Sequence, residues 1–208
     1  MKIIIYAICK NEARFAERFM ASCAGADGIY VLDSGSTDGT PELLRALGAA
    51  VYEQTITPWR FDAARNASLA RLPEDADVCI CLDLDEVLCP GWREALEAAW
   101  APGTPRARYT YVWSHTPDGG DGVVFFADKI HARHGYRWTH PVHEVLATER
   151  PESCITVPAP RAEHWPDSSQ SRGQYPPSPA LSAAEAPHPD RNSPHPRPPA
   201  TRPGRRGR

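Results

Sequence analysis

The sequence has no long hydrophobic run among its 208 residues. Its first apolar stretch, residues 3–8, is shorter than the apolar core of a secretory signal and far shorter than a membrane-spanning helix, which needs about 20 apolar residues. A run of this length is typical of a buried strand. We therefore expect a cytoplasmic protein with no membrane span.

Cysteine is too sparse for a disulfide framework, because the chain is not small and several of its six cysteines lie in or beside apolar strand patterns. The group Cys79, Cys81 and Cys89 raises the alternative of a zinc site, but positions on a strand favour core thiols. Four histidines raise the same alternative, although no cysteine pair has zinc-finger spacing. They are His131, His134, His140 and His143.

Glycine-rich phosphate loops are absent as well. Neither a P-loop motif nor a GxGxxG motif follows the first strand pattern. A bound phosphate group would then be held by helix ends or by a metal ion.

Aromatic residues are scarce at the end of the chain. Residues 166–208 contain 11 of the 22 prolines, seven arginines and a single aromatic residue, Tyr175. Such a segment buries too little apolar surface to offset the entropy lost on ordering it. We therefore predict one domain over residues 1–165 and a disordered tail over residues 166–208. The domain has 23 acidic against 16 basic residues, which argues against nucleic acid as a partner.

Strand and helix patterns alternate through the first half of the domain, which predicts an α/β fold with a mainly parallel sheet. Beyond residue 100, two alternating runs around a glycine-rich turn predict a hairpin. The predicted strands are residues 3–8, 28–32, 50–53 and 78–82, the helices are 13–23, 41–47 and 61–72, and the hairpin strands are 106–114 and 123–127.

Acidic residues cluster where the predicted strands end. Asp83 and Asp85 follow the fourth strand with Glu86 beside them, while Glu12 and Asp33 follow the first and second strands. The carboxyl ends of parallel strands form one rim, where such sheets bind ligands. Clustered carboxylates need a cation, and carboxylate and phosphate oxygens suit Mg²⁺ or Mn²⁺. The pattern predicts a divalent-metal site for a phosphorylated substrate.

Four segments in order, ICKNE, VLDSGSTDGT, FDAARNASL and CLDLDEVL, resemble the family 2 glycosyltransferases of the GT-A fold. The resemblance covers residues 1–100 well and extends more loosely to residue 165. It implies a Rossmann-like, three-layer fold with a nucleotide-binding half, 1–100, and an acceptor half, 101–165. Residues 164–175 also resemble the junction at which such proteins often continue into helical repeats.

The resemblance further implies a hexosyltransferase-type enzyme. It would move a sugar from a nucleotide-diphospho-sugar donor to a hydroxyl group of a glycan, lipid or protein acceptor. The reaction would invert the configuration of the sugar and use Mn²⁺ or Mg²⁺ as cofactor.

The same resemblance implies roles for particular residues. Asp33 binds the nucleobase, and a histidine past the acidic strand completes the metal shell, for which His143 is the candidate. Glu144 is the predicted general base, with Asp128 as its competitor. The predicted nucleotide contacts are Ala7, Ile8, Cys9, Glu12, Asp33, Arg65, Asp83 and Leu84, and the predicted metal ligands are Asp83, Asp85 and His143.

Two other functions remain open. A nucleotidyltransferase or sugar-nucleotide pyrophosphorylase also pairs an α/β nucleotide domain with clustered acids, although it normally has a glycine-rich and basic phosphate loop near the first strand. A catalytically silent sugar-nucleotide-binding domain would bind the nucleoside diphosphate with metal and transfer nothing.

Overall fold

The computed structural model describes residues 1–167, apart from the side chains of residues 158 and 159. The predicted tail therefore lies almost wholly outside the described residues. In chain order the elements are β1 (Ile3–Cys9), α1 (Ala13–Ser22), β2 (Gly28–Asp33), α2 (Thr40–Ala46), β3 (Ala50–Glu53), α3 (Phe61–Leu69), β4 (Val78–Cys81), β5 (Glu86–Leu88), α4 (Trp92–Ala99), β6 (Arg106–Val112), β7 (Val124–Ala132), β8 (Arg137–Thr139), β9 (Val145–Ala147) and β10 (Cys154–His164).

One sheet of eight strands runs through the domain in the order β3-β2-β1-β4-β7-β6-β10-β5. Strands β3, β2, β1 and β4 are mutually parallel. Strand β7 then runs antiparallel to both β4 and β6, and β10 joins β6 in parallel and β5 in antiparallel. Strands β8 and β9 form a separate hairpin. The predicted α/β class with a mainly parallel central sheet is confirmed.

Strand β1 is buried on both faces, and its side chains separate two apolar clusters. Ile3 and Ile5 pack with Phe19 of α1 and with residues of α2 and α4. Ile4 and Tyr6 point the other way and pack with residues after α3 and with the β8–β9 hairpin. Because successive strand residues face opposite sides, one continuous apolar run produces a three-layer arrangement.

The second half of the domain contains elements that the sequence patterns did not predict. These are β5, α4, β8, β9 and β10, and β7 continues to Ala132, whereas the predicted hairpin strand ended at residue 127. Strand β10 contains two prolines, and proline normally argues against a strand. Both prolines, at positions 158 and 160, fall in the break of register between Val157 and Arg161.

All six cysteines are free thiols. Cys79 and Cys81 are buried in the apolar cluster between β1 and α3. Of the helices within the described residues, none has the length and apolar character that a bilayer-spanning helix requires.

Candidate active site

A cleft of about 310 Å³ opens where β1 and β4 end, between them and β6, β7 and the end of β10. Both halves of the domain contribute side chains to it. Its lining residues are Ile8, Glu12, Phe61, Arg65, Asp83, Asp85, Glu86, Tyr111, Trp113, Phe125, Ala127, Lys129 and His164.

Asp83 lies between two cations. The Arg65 guanidinium donates from Nη2 to Asp83 Oδ1 at 2.8 Å, and Lys129 Nζ lies 3.5 Å from Oδ2. Burial opposes ionisation of Asp83, but the charges of Arg65 and Lys129 outweigh burial and lower the pKa of this carboxyl. Asp83 is therefore ionised, and Arg65 and Lys129 balance its charge. Its role as a metal ligand stays a prediction.

Glu86 supports the loop that carries the two aspartates. It is almost fully buried, and its Oε1 accepts hydrogen bonds from Tyr111 Oη and Lys129 Nζ, each at 2.7 Å. Its Oε2 accepts from the backbone N–H of Asp83 at 3.1 Å. Burial raises the pKa of the Glu86 carboxyl, although Lys129 acts in the opposite direction. Glu86 thus fixes the position of Asp83 and of Lys129.

Asp85 is paired with His164, the last residue of β10. His164 Nε2 lies 3.2 Å from Asp85 Oδ2, and His164 Nδ1 lies 3.0 Å from the carbonyl oxygen of Trp113. The pairing of β10 with β5 places His164 directly opposite Glu86, one residue beyond Asp85. Burial lowers the pKa of His164, but the hydrogen bonds to Asp85 and to the Trp113 carbonyl, together with the nearby negative charges, outweigh burial, and the net shift is upward.

Glu12 completes the acidic wall of the cleft. Burial raises its pKa well above the ordinary value, and the charges of Asp85 and Asp83 raise it further. The same repulsion that favours a proton on Glu12 favours a bound cation between these carboxylates. The cleft is therefore electrostatically suited to a divalent metal.

The donor set also fits such an ion. Asp85 and His164 offer a carboxylate oxygen and an imidazole nitrogen, and Mn²⁺ accepts both, while Mg²⁺ prefers oxygen. Within residues 1–167, no group of three or more His, Cys, Asp or Glu side chains is placed to hold a metal unaided. Metal ions that bridge substrate phosphates need few protein ligands, because phosphate oxygens and water supply the others.

Asp33 is buried at the end of β2. Its Oδ1 accepts from the backbone N–H groups of Gly35 and Ser36, each at 2.9 Å, and its Oδ2 accepts from the Ser36 hydroxyl. The Cys9 thiol also donates to Oδ2 at 3.4 Å. The carboxylate thus orders the loop after β2, and a contact with a nucleobase stays a prediction.

Of the other predicted nucleotide contacts, Ile8 and Arg65 line the cleft. The carbonyl of Ala7 accepts a hydrogen bond from a serine of α3, and the carbonyl of Cys9 accepts one from the serine after Asp33. The side chain of Leu84 is fully buried in the main core between the two aspartates. Nucleotide contacts by Ala7, Cys9 and Leu84 stay predictions.

The candidate bases occupy different surroundings. Glu144 accepts from Arg65 Nε at 2.5 Å, so Arg65 joins Glu144 to Asp83. Asp128 lies 3.6 Å from Arg106 Nη1 and is half exposed. His143 lies beside Glu144 in the wall of a groove next to the cleft. The histidine that the structure pairs with Asp85 is His164, while His143 as a metal ligand stays a prediction.

Two basic side chains that contact the aspartates of the cleft were missed by reasoning from the sequence. Lys129 follows the predicted end of the hairpin strand, and only the full length of β7 shows that it enters the cleft. His164 stands in the motif HWPD, which resembled a junction to further repeats. The sequence did contain a signal for His164, because this histidine ends the segment Cys154–His164, whose first residues form an apolar run interrupted by prolines.

The fold and the cleft define an α/β domain with an acidic cleft at the ends of its central strands, and the comparisons name its family. The family model of glycosyl transferase family 2 matches residues 4–115, more than half of the chain. The chain belongs to this family and has its GT-A fold. The resemblance noted from the four sequence segments is confirmed.

Among curated proteins, a TPR repeat-containing protein of Synechococcus elongatus is 28% identical over 187 residues, covering 83% of this chain and 45% of the relative. The chain thus spans less than half the length of that relative. Among solved structures, glucosyl-3-phosphoglycerate synthase from Mycobacterium tuberculosis, in complex with Mn²⁺, uridine diphosphate and phosphoglyceric acid, is 25% identical with a TM-score of 0.44, covering 53% of this chain and 43% of that one. TarS of S. aureus is 16% identical with a TM-score of 0.45, covering 59% of this chain and 23% of TarS.

Proposed function

We propose that the chain transfers a hexosyl group from a nucleotide-diphospho-sugar to an acceptor hydroxyl, with inversion at the sugar and with Mn²⁺ or Mg²⁺ as cofactor. The observation that carries this proposal is the Asp85–His164 pair at 3.2 Å, set in a wall with Glu12 and Asp83. Family membership supplies the reaction class, and the acidic cleft supplies a place for the donor.

Asp85 and His164 are the proposed metal ligands. A divalent cation held there would neutralise the charge that builds up on the leaving diphosphate. Asp83 is paired with Arg65 and Lys129, and the remaining lone pairs of its carboxylate would accept hydrogen bonds from the ribose or the sugar. Lys129 also brings a positive charge to the cleft, where it offsets the charge of the donor.

Glu144 is the proposed general base. Its carboxylate pairs with Arg65, which also contacts Asp83 in the cleft. The Arg65 side chain is almost fully buried. A hydrogen bond from Arg65 orients one carboxylate oxygen and leaves the other to accept a proton from the acceptor hydroxyl. This pairing supports the proposal that Glu144 acts as the general base.

Binding of nucleoside diphosphates tests the donor site directly. Unfolding temperature is measured with uridine, guanosine, adenosine and cytidine diphosphates, with and without Mn²⁺. Saturation at a hundred times Kd stabilises a folded protein by about 2.7 kcal/mol. We expect stabilisation by at least one of the nucleotides that requires Mn²⁺ and is lost in Asp85→Asn and His164→Asn.

The exposed carboxylate of Asp75, which pairs with Lys2, provides a matched control. Asp75→Asn removes the same charge without touching the cleft, so its nucleotide binding should equal that of the wild type. Metal-independent binding, or no binding of any of the four nucleotides, would refute the proposed donor site. Incorporation of pyrophosphate would instead indicate a pyrophosphorylase, and binding without any transfer would indicate a silent domain.

A further inference from the structure

Part of strand β7 has an unpaired edge. Strand β7 pairs with β4 only through Ile130–Ala132, whereas residues 124–127 pair with β6 on their other side. Among the described residues, no strand pairs with the β4-facing edge of residues 124–127. Such an edge presents backbone donors and acceptors that another strand can use.

The register identifies which backbone groups face outward. Just beyond the ends of β6 and β7, Trp113 N donates to Val123 O at 2.8 Å, while Val123 N donates to Ser114 Oγ at 3.0 Å. The Trp113–Val123 bond has the position of a hydrogen-bonded pair in the register of β6 with β7. These pairs alternate along an antiparallel ladder, so Phe125 faces β6 while Val124 and Phe126 direct their N–H and C=O groups outward. Two outward-facing residues along a strand are separated by about 6.8 Å.

A groove of about 520 Å³ lies along this edge. Five consecutive strand residues, 125–129, line it, although their side chains alternate between the two faces of the sheet. A cavity that is lined by side chains of both faces must lie along the edge of the strand, where both faces are accessible. Residues 142–146 form the opposite wall, with Arg65 and Asp83 below.

The groove is continuous with the donor cleft, since Arg65, Asp83 and Lys129 line both. Its outer part is apolar. Phe125 and Phe126 line it and are 47% and 56% exposed, and Val145 on the opposite wall is 51% exposed. The two residues before them, Val123 and Val124, continue the apolar surface beyond the groove and are also about half exposed. Exposed apolar groups beside unpaired backbone mark a binding surface more than a solvated loop.

We propose that this groove binds an extended peptide segment, added as a strand to the outer edge of residues 124–127, and that this peptide is the acceptor. The inference rests on the proposed function. A peptide backbone repeats its donors and acceptors at the spacing that Val124 and Phe126 present, and its side chains contact Phe125 and Val145. A lipid chain has no such groups, and the hydroxyls of a glycan do not repeat at this spacing.

The reaction is then a transfer to a serine or threonine of the bound strand. Its hydroxyl oxygen bonds to the anomeric carbon of the donor, and the bond from that carbon to the diphosphate oxygen breaks. The electron pair leaves with the nucleoside diphosphate, and the hydroxyl proton passes to Glu144 in the groove wall.

Backbone N-methylation tests this mode of binding, because it removes one N–H donor and leaves every side chain in place. The probe is a fluorescent, capped heptapeptide with a central serine, alternating valine and phenylalanine beside it, and lysine at each end. Its affinity is measured by fluorescence anisotropy, with and without uridine diphosphate and Mn²⁺. We expect methylation of every second residue to weaken binding by about tenfold or more, and methylation of the intervening residues to change it little.

A change in the protein provides a second arm. Phe126→Pro removes the outward N–H, which an edge strand tolerates, and Phe126→Ala keeps that N–H while removing the ring. Peptide binding should be lost in the proline variant and only reduced in the alanine variant. If the proline variant does not fold, the N-methyl series on the wild-type chain still decides the question.

Several results would overturn the inference. These are no binding of the heptapeptide, binding that is insensitive to the position of the methyl groups, or binding of octyl glucoside or maltohexaose in place of the peptide. Mn²⁺-dependent nucleotide binding in the same samples separates the two proposals. If nucleotide binding persists while the affinity for the heptapeptide does not depend on the position of the methyl groups, only the proposal of a peptide acceptor is refuted.

Discussion

The two halves of the domain supply the side chains of the candidate cleft in different ways. In residues 1–100, the acids follow the ends of neighbouring parallel strands and are fixed by backbone geometry. In residues 101–167, Lys129 and His164 come from separate strands and each reaches an acid of the first half. The first half therefore provides the negative charges of the cleft, and the second half provides most of their partners.

This division has a physical consequence. Each half by itself leaves charged groups without partners in a partly buried place, which is costly. Arg65 is the reverse case, a cation of the first half that pairs with Glu144, an acid of the second half. The cleft is thus assembled by ion pairs that cross between the halves, and removing single partners measures how far the halves depend on each other.

The largest effect is expected at the proposed base. Glu144→Gln keeps the shape and a hydrogen-bond acceptor for Arg65 but cannot take up a proton, so turnover should fall by about 10²–10⁴-fold. Donor affinity should stay nearly unchanged, because the substitution removes a group that acts in the transition state. Steady-state kinetics with a donor sugar measures both. If Asp128→Asn shows the loss and Glu144→Gln does not, the base is Asp128.

The second effect concerns stability. The Arg65 side chain is almost fully buried, and Arg65→Met leaves Asp83 and Glu144 without their shared cation. Breaking a buried ion pair costs about 3–5 kcal/mol, and the partial exposure of Asp83 places this case near the lower value. Urea unfolding measures the loss. Arg71→Met, an exposed arginine after the same helix, is the control, and an equal loss in both would show that Arg65 does not join the halves.

The contrast between the halves also explains what the sequence could predict. Strands β1 to β4 and helices α1 to α3 follow from local apolar patterns and short turns, so their order and the acids at their ends were predictable. Lys129 and His164 depend on pairings between distant segments. His164 meets Asp85 because β10 pairs with β5, about 75 residues earlier, through a strand interrupted by prolines. No local pattern encodes that register.

The third effect is a pH dependence from a buried histidine that also joins the halves. His131 of β7 is fully buried, its Nε2 lies 2.9 Å from Tyr6 Oη of β1, and its Nδ1 lies 2.8 Å from the carbonyl oxygen of Ala132. Tyr6 Oη also accepts from the indole of Trp138. The Tyr6 hydroxyl thus donates to His131 Nε2, which requires a neutral imidazole. Burial lowers the pKa of His131 to about 4, and the charges of Arg106 and Arg133 also lower it.

The sign of the effect follows from linkage. The unfolded chain binds a proton on His131 below about pH 6.5, while the folded protein does not until about pH 4. The contribution of His131 to the free energy of unfolding is therefore fully present above pH 6.5. It falls by about 3 kcal/mol as the pH drops toward 4. Urea unfolding between pH 7 and pH 4 measures the slope. His131→Gln should flatten it and exposed His134→Gln should not, and a slope unchanged in His131→Gln would contradict the assignment.

The smallest effect compares two neighbouring tyrosines on β6, both buried. Tyr111 donates to Glu86 at 2.7 Å, whereas the hydroxyl of Tyr109 has no hydrogen-bond partner among the described residues. Tyr111→Phe leaves a buried carboxylate with one bond fewer and should destabilise the fold by about 1 kcal/mol. Tyr109→Phe removes a desolvated, unpaired hydroxyl and should be neutral or stabilising by up to about 1 kcal/mol. Thermal unfolding distinguishes the two signs. Destabilisation by Tyr109→Phe would mean that the Tyr109 hydroxyl has a hydrogen-bond partner in solution and would remove the contrast between the two tyrosines.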